Sequence, residues 1–490
     1  MLVAALAAAG LAGCSAAGQT QAEGAGQNGG IGGDKPAANP GDVPLTTGAS
    51  RASGGVVAAG GPGTPYNYGP TVMLDGDRAR TWWCSQSPAA PPPGDDILYG
   101  ESASLDGPFT GPGGTTPPAV LSGDPGHFDG AHTCDPSVIR VDGTYYLYYT
   151  GAAGDHALGN SIGVATSRDG RTWTRANDGN AIVGPAEDVH RDNLYGAGQP
   201  AAVYLDGWFY LMFTDTTGRG AGWNGAGQFV LRAKDPTFRT GVEALEDNGF
   251  APVPGTAAPR TRSVVDAFSV DLMWVDALNA FAIAHETDGG TTITFFDRDF
   301  ATRPYRAVVI PGTWREGPGL VRRPDGHAPV SMADPCGRVP VDVVRATVIG
   351  EAGAPTDLRR FGLDLTGVSG CANQAQALAT LNGFAMPSPV RTMDFVVDGR
   401  LVRIDRRSVA EKLATRVLDQ RIVALGQVPV AARLASGAAA VQAPSYGFGL
   451  ILDDGRLWPV ASADIVAMNG SAVTSITDAQ WRDHPPGPPL

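Results

Sequence analysis

One phrase constrains the fold of this chain more than any other: an apolar strand, an Asp-Gly turn and a second apolar strand, repeated along its length. The clearest copy, HTCDPSVIRVDGTYYLYYTG, runs from His132 to Gly151. Its Asp142-Gly143 step is a tight hairpin turn, and the strand that follows is so aromatic that both of its faces must be buried. The phrase returns as GQPAAVYLDGWFYLMFTD (Gly198 to Asp215) and, more loosely, as SVDLMWVDALNAFAIAHE (Ser269 to Glu286). Two further copies are EGPGLVRRPDGHAPVSMAD (Glu316 to Asp334) and YGPTVMLDGDRARTWWC (Tyr68 to Cys84).

The turn aspartates Asp75, Asp142, Asp206, Asp276 and Asp325 are spaced 67, 64, 70 and 49 residues apart, each interval long enough for a four-stranded blade. Outer hairpins are visible as SIGVATS with TWTR in blade 2, QFVLRAKDPTF in blade 3 and TTITFFDRDF in blade 4. Blade 1 is interrupted by SPAAPPPGDD, and blade 5 needs closing help from the segment after Val341. The pattern predicts a mainly β chain, with a five-bladed β-propeller over residues 66–365 followed by a small duplicated α+β module over 371–490. Composition agrees, since Gly (67) and Pro (39) are abundant and only 17% of residues are charged, which suits short strands and turns. Lys plus Arg is 36 against Asp plus Glu 49, a net charge of −13 with no basic cluster, which argues against a nucleic-acid partner.

The first residues, MLVAALAAAGLAGCSAAG, form an apolar run ending in small residues before Cys14. This resembles the bacterial lipoprotein signal, in which the chain is cut before the cysteine and the cysteine is lipidated. No Lys or Arg precedes the run, and an ordinary cleaved secretory signal is the alternative. Both readings export the protein, the first to the outer face of a membrane through a lipid anchor. Residues 15–65 are Gly, Ala, Ser, Thr, Pro and Gln with few large apolar side chains, a composition expected to stay disordered as a tether. Export makes disulfides feasible, and Cys84, Cys134, Cys336 and Cys371 permit three connectivities. In a propeller the second strand of one blade ends on the rim where the first strand of the next begins. That favours Cys84 with Cys134, leaving Cys336 with Cys371.

The DPSVI start followed by DGTYYLYYT, the outer hairpin ending SRDGRTW, and the later EGP before an apolar strand resemble the five-bladed glycoside hydrolases of family 43. These are the arabinofuranosidases and β-xylosidases, and the resemblance extends over the propeller. It implies hydrolysis of arabinose- or xylose-containing polysaccharide or oligosaccharide, without a cofactor. It also implies a general base at Asp135 and a general acid at Glu316, and it places Gln199 where the family carries a second, orienting Asp. Such hydrolysis needs one protonated carboxylic acid and one carboxylate on opposite sides of the bond. A propeller brings such groups together because the innermost strands all start at one end of the channel, and only blade 1 would separate Asp135 from Glu316.

His132, Gln199, Asp215, Trp223, His285 and Glu286 are the remaining candidates for substrate binding, with Trp314 a second stacking platform. Glu286 or Asp271 is an alternative acid, and Asp215 an alternative for the position held by Gln199. His127, Asp129 and His132 line the funnel or hold a cation; solvated loop polarity is the plainer reading, and no metal site is assigned. In the C-terminal region, FVVDGRLVRI (Phe395 to Ile404) and LILDDGRLWPV (Leu450 to Val460) are matching hairpins whose turns lie 56 residues apart. Each precedes a helix pattern and an extended stretch. The ending resembles the periplasmic repeats of a membrane component of mycobacterial type VII secretion, which implies cell wall as a further partner. Two functions stay open: an exported glycosidase, or a non-catalytic carbohydrate-binding or envelope-organising lipoprotein that kept the propeller.

Overall fold

The computed structural model describes residues 43–155 and 158–490. Cys14, and most of the expected tether, lie outside the described residues. The chain divides into two compact units, one comprising the propeller and the other built mainly from Thr366–Leu490. No helix among the described residues is long and apolar enough to cross a membrane.

The propeller has five blades. Blade 1 consists of Tyr68–Asp75, Arg78–Ser85, Asp96–Ser102 and Ala119–Leu121. Blade 2 is His132–Val141, Thr144–Ala152, Ser161–Ser167 and Thr174–Arg175. Blade 3 begins with Ala197–Leu205, Trp208–Asp215 and Gln228–Ala233, and blade 4 with Val270–Val275, Ala280–Thr287 and Gly290–Phe296. Alternation along the aromatic strand of blade 2 explains its composition. Tyr145, Leu147 and Tyr149 pack with Trp82, Ile97 and Tyr99 of blade 1. Tyr148 points the other way and joins Leu211, Phe213 and Phe229 of blade 3. Each face of a blade is thus an interblade core, the reason a strand here is apolar at successive positions rather than at every second one.

Blade 5 corrects two expectations. Its strands are Glu316–Arg322, Arg338–Ile349 and Pro355–Thr366, and the outermost is Thr46–Ala52 from the N-terminal side of the propeller. The tether expected over 15–65 therefore does not extend through residues 46–52, which are strand. Arg51 fastens that strand: its guanidinium meets Asp342 at 2.6 Å and Asp364 at 2.7 Å. The expected return strand after Gly326 is also absent. The chain instead crosses the far end of the channel, where backbone N–H groups of Arg140, Tyr204 and Trp274 donate to the carbonyls of Pro324, Asp325 and Gly326. The hairpin partner is taken up only at Arg338.

The channel itself is filled by Arg322, which is 1% exposed. Its guanidinium donates to Thr71 Oγ1 of blade 1 (2.7 Å), the carbonyl of Ala202 of blade 3 (3.1 Å) and that of Leu272 of blade 4 (2.7 Å). It stands 3.1 Å from Asp271 Oδ1. Asp271 also accepts the backbone N–H groups of Leu272 and Leu320. The buried carboxylate and the buried guanidinium face each other and are each hydrogen-bonded by further groups of the channel wall, which offsets the cost of burying two charges. Gly319 is required beside them, because a Cβ there would overlap the Pro70 carbonyl oxygen at 2.0 Å.

The second unit is a duplicated α+β module. Its first repeat runs Phe384–Pro387, Met393–Val397, Arg400–Ile404, the helix Arg407–Leu413 and Arg416–Val417, the last strand parallel to the first. The second repeat follows the same path through Ala440–Ala443, Gly447–Ile451, Leu457–Val460, the helix Ala463–Asn469 and Val473–Ser475. In the first repeat Val430–Leu434 adds to the hairpin edge. In the second the chain end does so, with Gly487 N–H donating to the Leu457 carbonyl and Leu490 N–H to that of Pro459. One apolar cluster, including Phe395, Val402, Leu450 and Trp458, joins the two repeats. Cys336 and Cys371 are bonded in this unit, and Cys84 and Cys134 in the propeller.

Candidate active site

Four innermost strands begin with the same local device. Gly69-Pro70, Asp135-Pro136, Gln199-Pro200 and Gly317-Pro318 each place a residue of positive φ (53°, 48°, 52° and 48°) ahead of a proline. Strand register shifts at each of these steps. Such bulges turn a side chain out of the ladder. For Asp135 and Gln199, which are not glycine, the left-handed backbone costs on the order of 1–3 kcal/mol and is held by the surrounding fold. Blade 4 has no such step, and its Asp271 points into the channel toward Arg322 instead.

The bulges frame a cavity of about 400 Å³ at the end of the channel opposite the 324–328 crossing. Asp135, Glu316, Gln199, Glu286, His132 and Trp314 all line it. Gly69 of blade 1 lies between the two candidate carboxylates' strands: a Cβ on Gly317 would come within 3.1 Å of the Gly69 Cα. Asp135 accepts from Tyr195 Oη at 3.4 Å and from the Thr150 hydroxyl. Thr150 in turn accepts the Gln199 backbone N–H at 2.7 Å, so the two bulges are tied together.

Both carboxyls are enclosed apart from the side turned to the cavity, and the enclosure governs their protonation. Burial pushes Glu316 up to about 8, with the charges on Asp135 and Asp95 adding to the effect. Burial raises Asp135 to about 6, aided by Asp95 and opposed by the Thr150 and Tyr195 hydrogen bonds. Glu286 rises to about 7 through burial, against the pull of Arg345 and the Thr291 hydroxyl. Near neutral pH this gives a protonated Glu316 beside a mostly ionised Asp135.

Three expected residues are elsewhere. Asp215 is fully buried and committed to its own loop: it accepts the N–H groups of Ala186 (2.8 Å) and Thr217 (2.9 Å) and lies 3.4 Å from Arg260 Nε. Trp223 is 92% exposed and does not line the cavity, although its neighbour Asn224 does. His285 turns to Thr294, with 3.3 Å between Nε2 and Oγ1, and burial lowers its pKa. Asp271 is likewise no acid candidate, since its carboxylate is engaged by Arg322. Asp95, Tyr195 and Phe268, which lie in no repeated motif, also line the cavity. Trp314 is fixed by donating from Nε1 to the Thr287 carbonyl at 2.7 Å.

The funnel residues weighed for a cation have other partners. Asp129 accepts from Arg175 (2.8 Å) and Tyr149 (2.9 Å), and His127 pairs with Asp124 at 3.1 Å. Cys84, Asp95 and Cys134 also cluster, but the two sulfurs are bonded to each other and offer no thiolate.

No protein-family model matches the chain, and no curated protein matches it. Solved five-bladed glycoside hydrolases do show structural similarity at low identity. A family 117 glycoside hydrolase produced by the marine bacterium Zobellia galactanivorans is 15% identical, with 66% of this chain and 92% of that chain covered and a TM-score of 0.44. An α-L-arabinofuranosidase from Podospora anserina, in complex with cellotriose, is 14% identical, with coverage of 66% and 99% and a TM-score of 0.40. The catalytic domain of a family 62 α-L-arabinofuranosidase from Coprinopsis cinerea is 12% identical, with coverage of 65% and 97% and a TM-score of 0.39.

Proposed function

We propose that this protein is an exported glycoside hydrolase, with Glu316 as general acid and Asp135 as general base in the cavity of the propeller. The observation that carries this reading is that Asp135 and Glu316, from different blades, line one cavity, with burial raising the pKa of both and that of Glu316 further. A glycosidic bond between them would receive a proton at the leaving oxygen from Glu316. Water activated by Asp135 would attack the anomeric carbon. Gln199 supports sugar binding, because its Oε1 is enclosed without a hydrogen-bond partner and would accept from a sugar hydroxyl. Trp314, with its indole N–H already engaged, offers its ring as a stacking surface.

Arabinofuranosides and xylosides come first as substrates because of the sequence resemblance. The lipid anchor at Cys14 belongs to the same proposal and would hold the enzyme at the outer face of a membrane. The test is incubation of the purified propeller-containing chain with aryl arabinofuranosides, aryl xylosides and the corresponding oligosaccharides. Release of free sugar supports hydrolysis. Protein that releases nothing yet is retarded on an immobilised oligosaccharide column would overturn hydrolysis in favour of the binding function.

A further inference from the structure

Asp95 stands immediately before the third strand of blade 1, at the end of the Pro-rich insertion that interrupts that blade. Its placement is tightly specified. Gly94 passes so near blade 2 that a Cβ would sit 1.9 Å from the Ala131 carbonyl oxygen. The Thr133 N–H donates to the Asp95 carbonyl at 2.9 Å. The carboxylate accepts from the Tyr66 hydroxyl through Oδ1. His132 Nδ1 lies 3.0 Å from Asp95 Oδ2 and also 3.0 Å from the Asp95 backbone nitrogen. Asp95 is 3% exposed and lies beside the Cys84–Cys134 bridge, yet it lines the same cavity as Asp135 and Glu316.

We infer that Asp95 is a positioning residue of this site: its carboxylate, anchored from behind by the Tyr66 hydroxyl, places a third negative charge in the cavity that Asp135 and Glu316 share, where it adds to the burial of Glu316 and to the charge of Asp135. Other candidates for that task fall away on geometry. Gln199 is neutral, Asp215 is bound within its own loop, and Glu286 faces the buried Arg345 at 3.7 Å. The remaining titratable or charged groups facing this cavity are Tyr68, His132, Tyr195, Asp266, Glu286 and Arg315. Asp95 is the group among its neighbours whose charge acts on both Asp135 and Glu316, raising each. The inference takes its catalytic meaning from the hydrolase reading; its electrostatic content stands apart from it.

The experiment is a pH titration of Asp95→Asn and wild type as full chains, followed in two ways. Infrared difference spectroscopy reads the protonated-carboxyl band, assigned to Glu316 by its loss in Glu316→Gln. Removing a negative charge favours ionisation of its neighbours, so in Asp95→Asn this band should disappear at a pH lower by about 0.5–1 unit. Both limbs of the pH–rate profile should move the same way. Asp95→Glu, which keeps the charge, should restore the wild-type midpoint. Should Asp95→Asn fail to fold by circular dichroism, Asp95→Ser with Tyr66→Phe removes both partners of the buried hydrogen bond and serves instead. An unchanged band midpoint in a folded variant lacking the charge overturns the inference. A wild-type chain that hydrolyses nothing defeats the proposed function, while the infrared midpoint still decides the role of Asp95.

Discussion

A Cβ on Gly69 would stand 3.1 Å from Oδ1 of Asp135, so the room left to a blade 2 carboxylate is set by a residue of blade 1. Gly69 also has a φ of 53°, which an alanine adopts at a cost of about 1–2 kcal/mol. Gly69→Ala should therefore displace the carboxylate and lower turnover by about 10-fold or more, because small misplacements of reacting groups are expensive. Steady-state kinetics with a thermal melt as control will check this.

The pH dependence follows from the two raised carboxyls. On the proposed mechanism, activity needs Asp135 ionised and Glu316 protonated. The value of kcat/KM should rise as pH passes about 6 and fall as it passes about 8. Because the groups interact, the two midpoints belong to the pair. In the folded state Glu316 holds its proton more tightly than in the unfolded chain, so its contribution to stability is complete below pH 4.5 and is lost as pH rises toward 8. Glu316→Gln should accordingly melt at a higher temperature than wild type at pH 9, and the gap should close by pH 4.5; calorimetry reads both.

Leaving-group dependence separates the two roles. Asp135→Asn should reduce turnover by roughly 100-fold or more on every substrate. Glu316→Gln should do so on natural glycosides but far less on 4-nitrophenyl glycosides, whose leaving group departs without a proton. Equal losses of Glu316→Gln on both kinds of substrate would remove it as the acid.

Channel closure is tested at Arg322. Replacing it by methionine leaves Asp271 buried without its partner, which should cost about 3–5 kcal/mol in denaturant unfolding. Arg322→Met combined with Asp271→Leu should recover part of that loss, since both charges are then gone.

Attachment is tested at Cys14. Cys14→Ser should release the protein from the membrane fraction into the medium, as seen by immunoblotting of fractions. Identical distributions of the two forms would discard the anchor.

The ring was legible because hairpins advertise themselves: apolar strands flank Asp-Gly turns at intervals long enough for a blade. What resisted reading was whatever depends on neighbours distant in sequence. TTGASRA, the outermost strand of blade 5, is mostly exposed and has the composition of the tether. Asp325-Gly326 looks like the other Asp-Gly turns, yet the carbonyls of Pro324, Asp325 and Gly326 bond to blades 2, 3 and 4. Asp215 ends its strand as expected, but Ala186 and Thr217 from adjoining loops claim its carboxylate. Asp95 follows a proline-rich insertion, and its place in the cavity depends on Gly94 before it passing close to Ala131 of blade 2, a contact the sequence does not display.

The strand Thr46–Ala52 belongs to the last blade although it is made before the first. During synthesis it has no partner until Pro355–Thr366 has emerged, some 300 residues later by the Arg51–Asp364 separation of 313. Blades 1 to 4 can collapse on one another in order, but the ring shuts only when an early segment meets a late one. Loop closure over such a distance is the slow kind of contact. A chain beginning at Tyr66 would keep every residue of the cavity and lose the clasp that holds the circle closed.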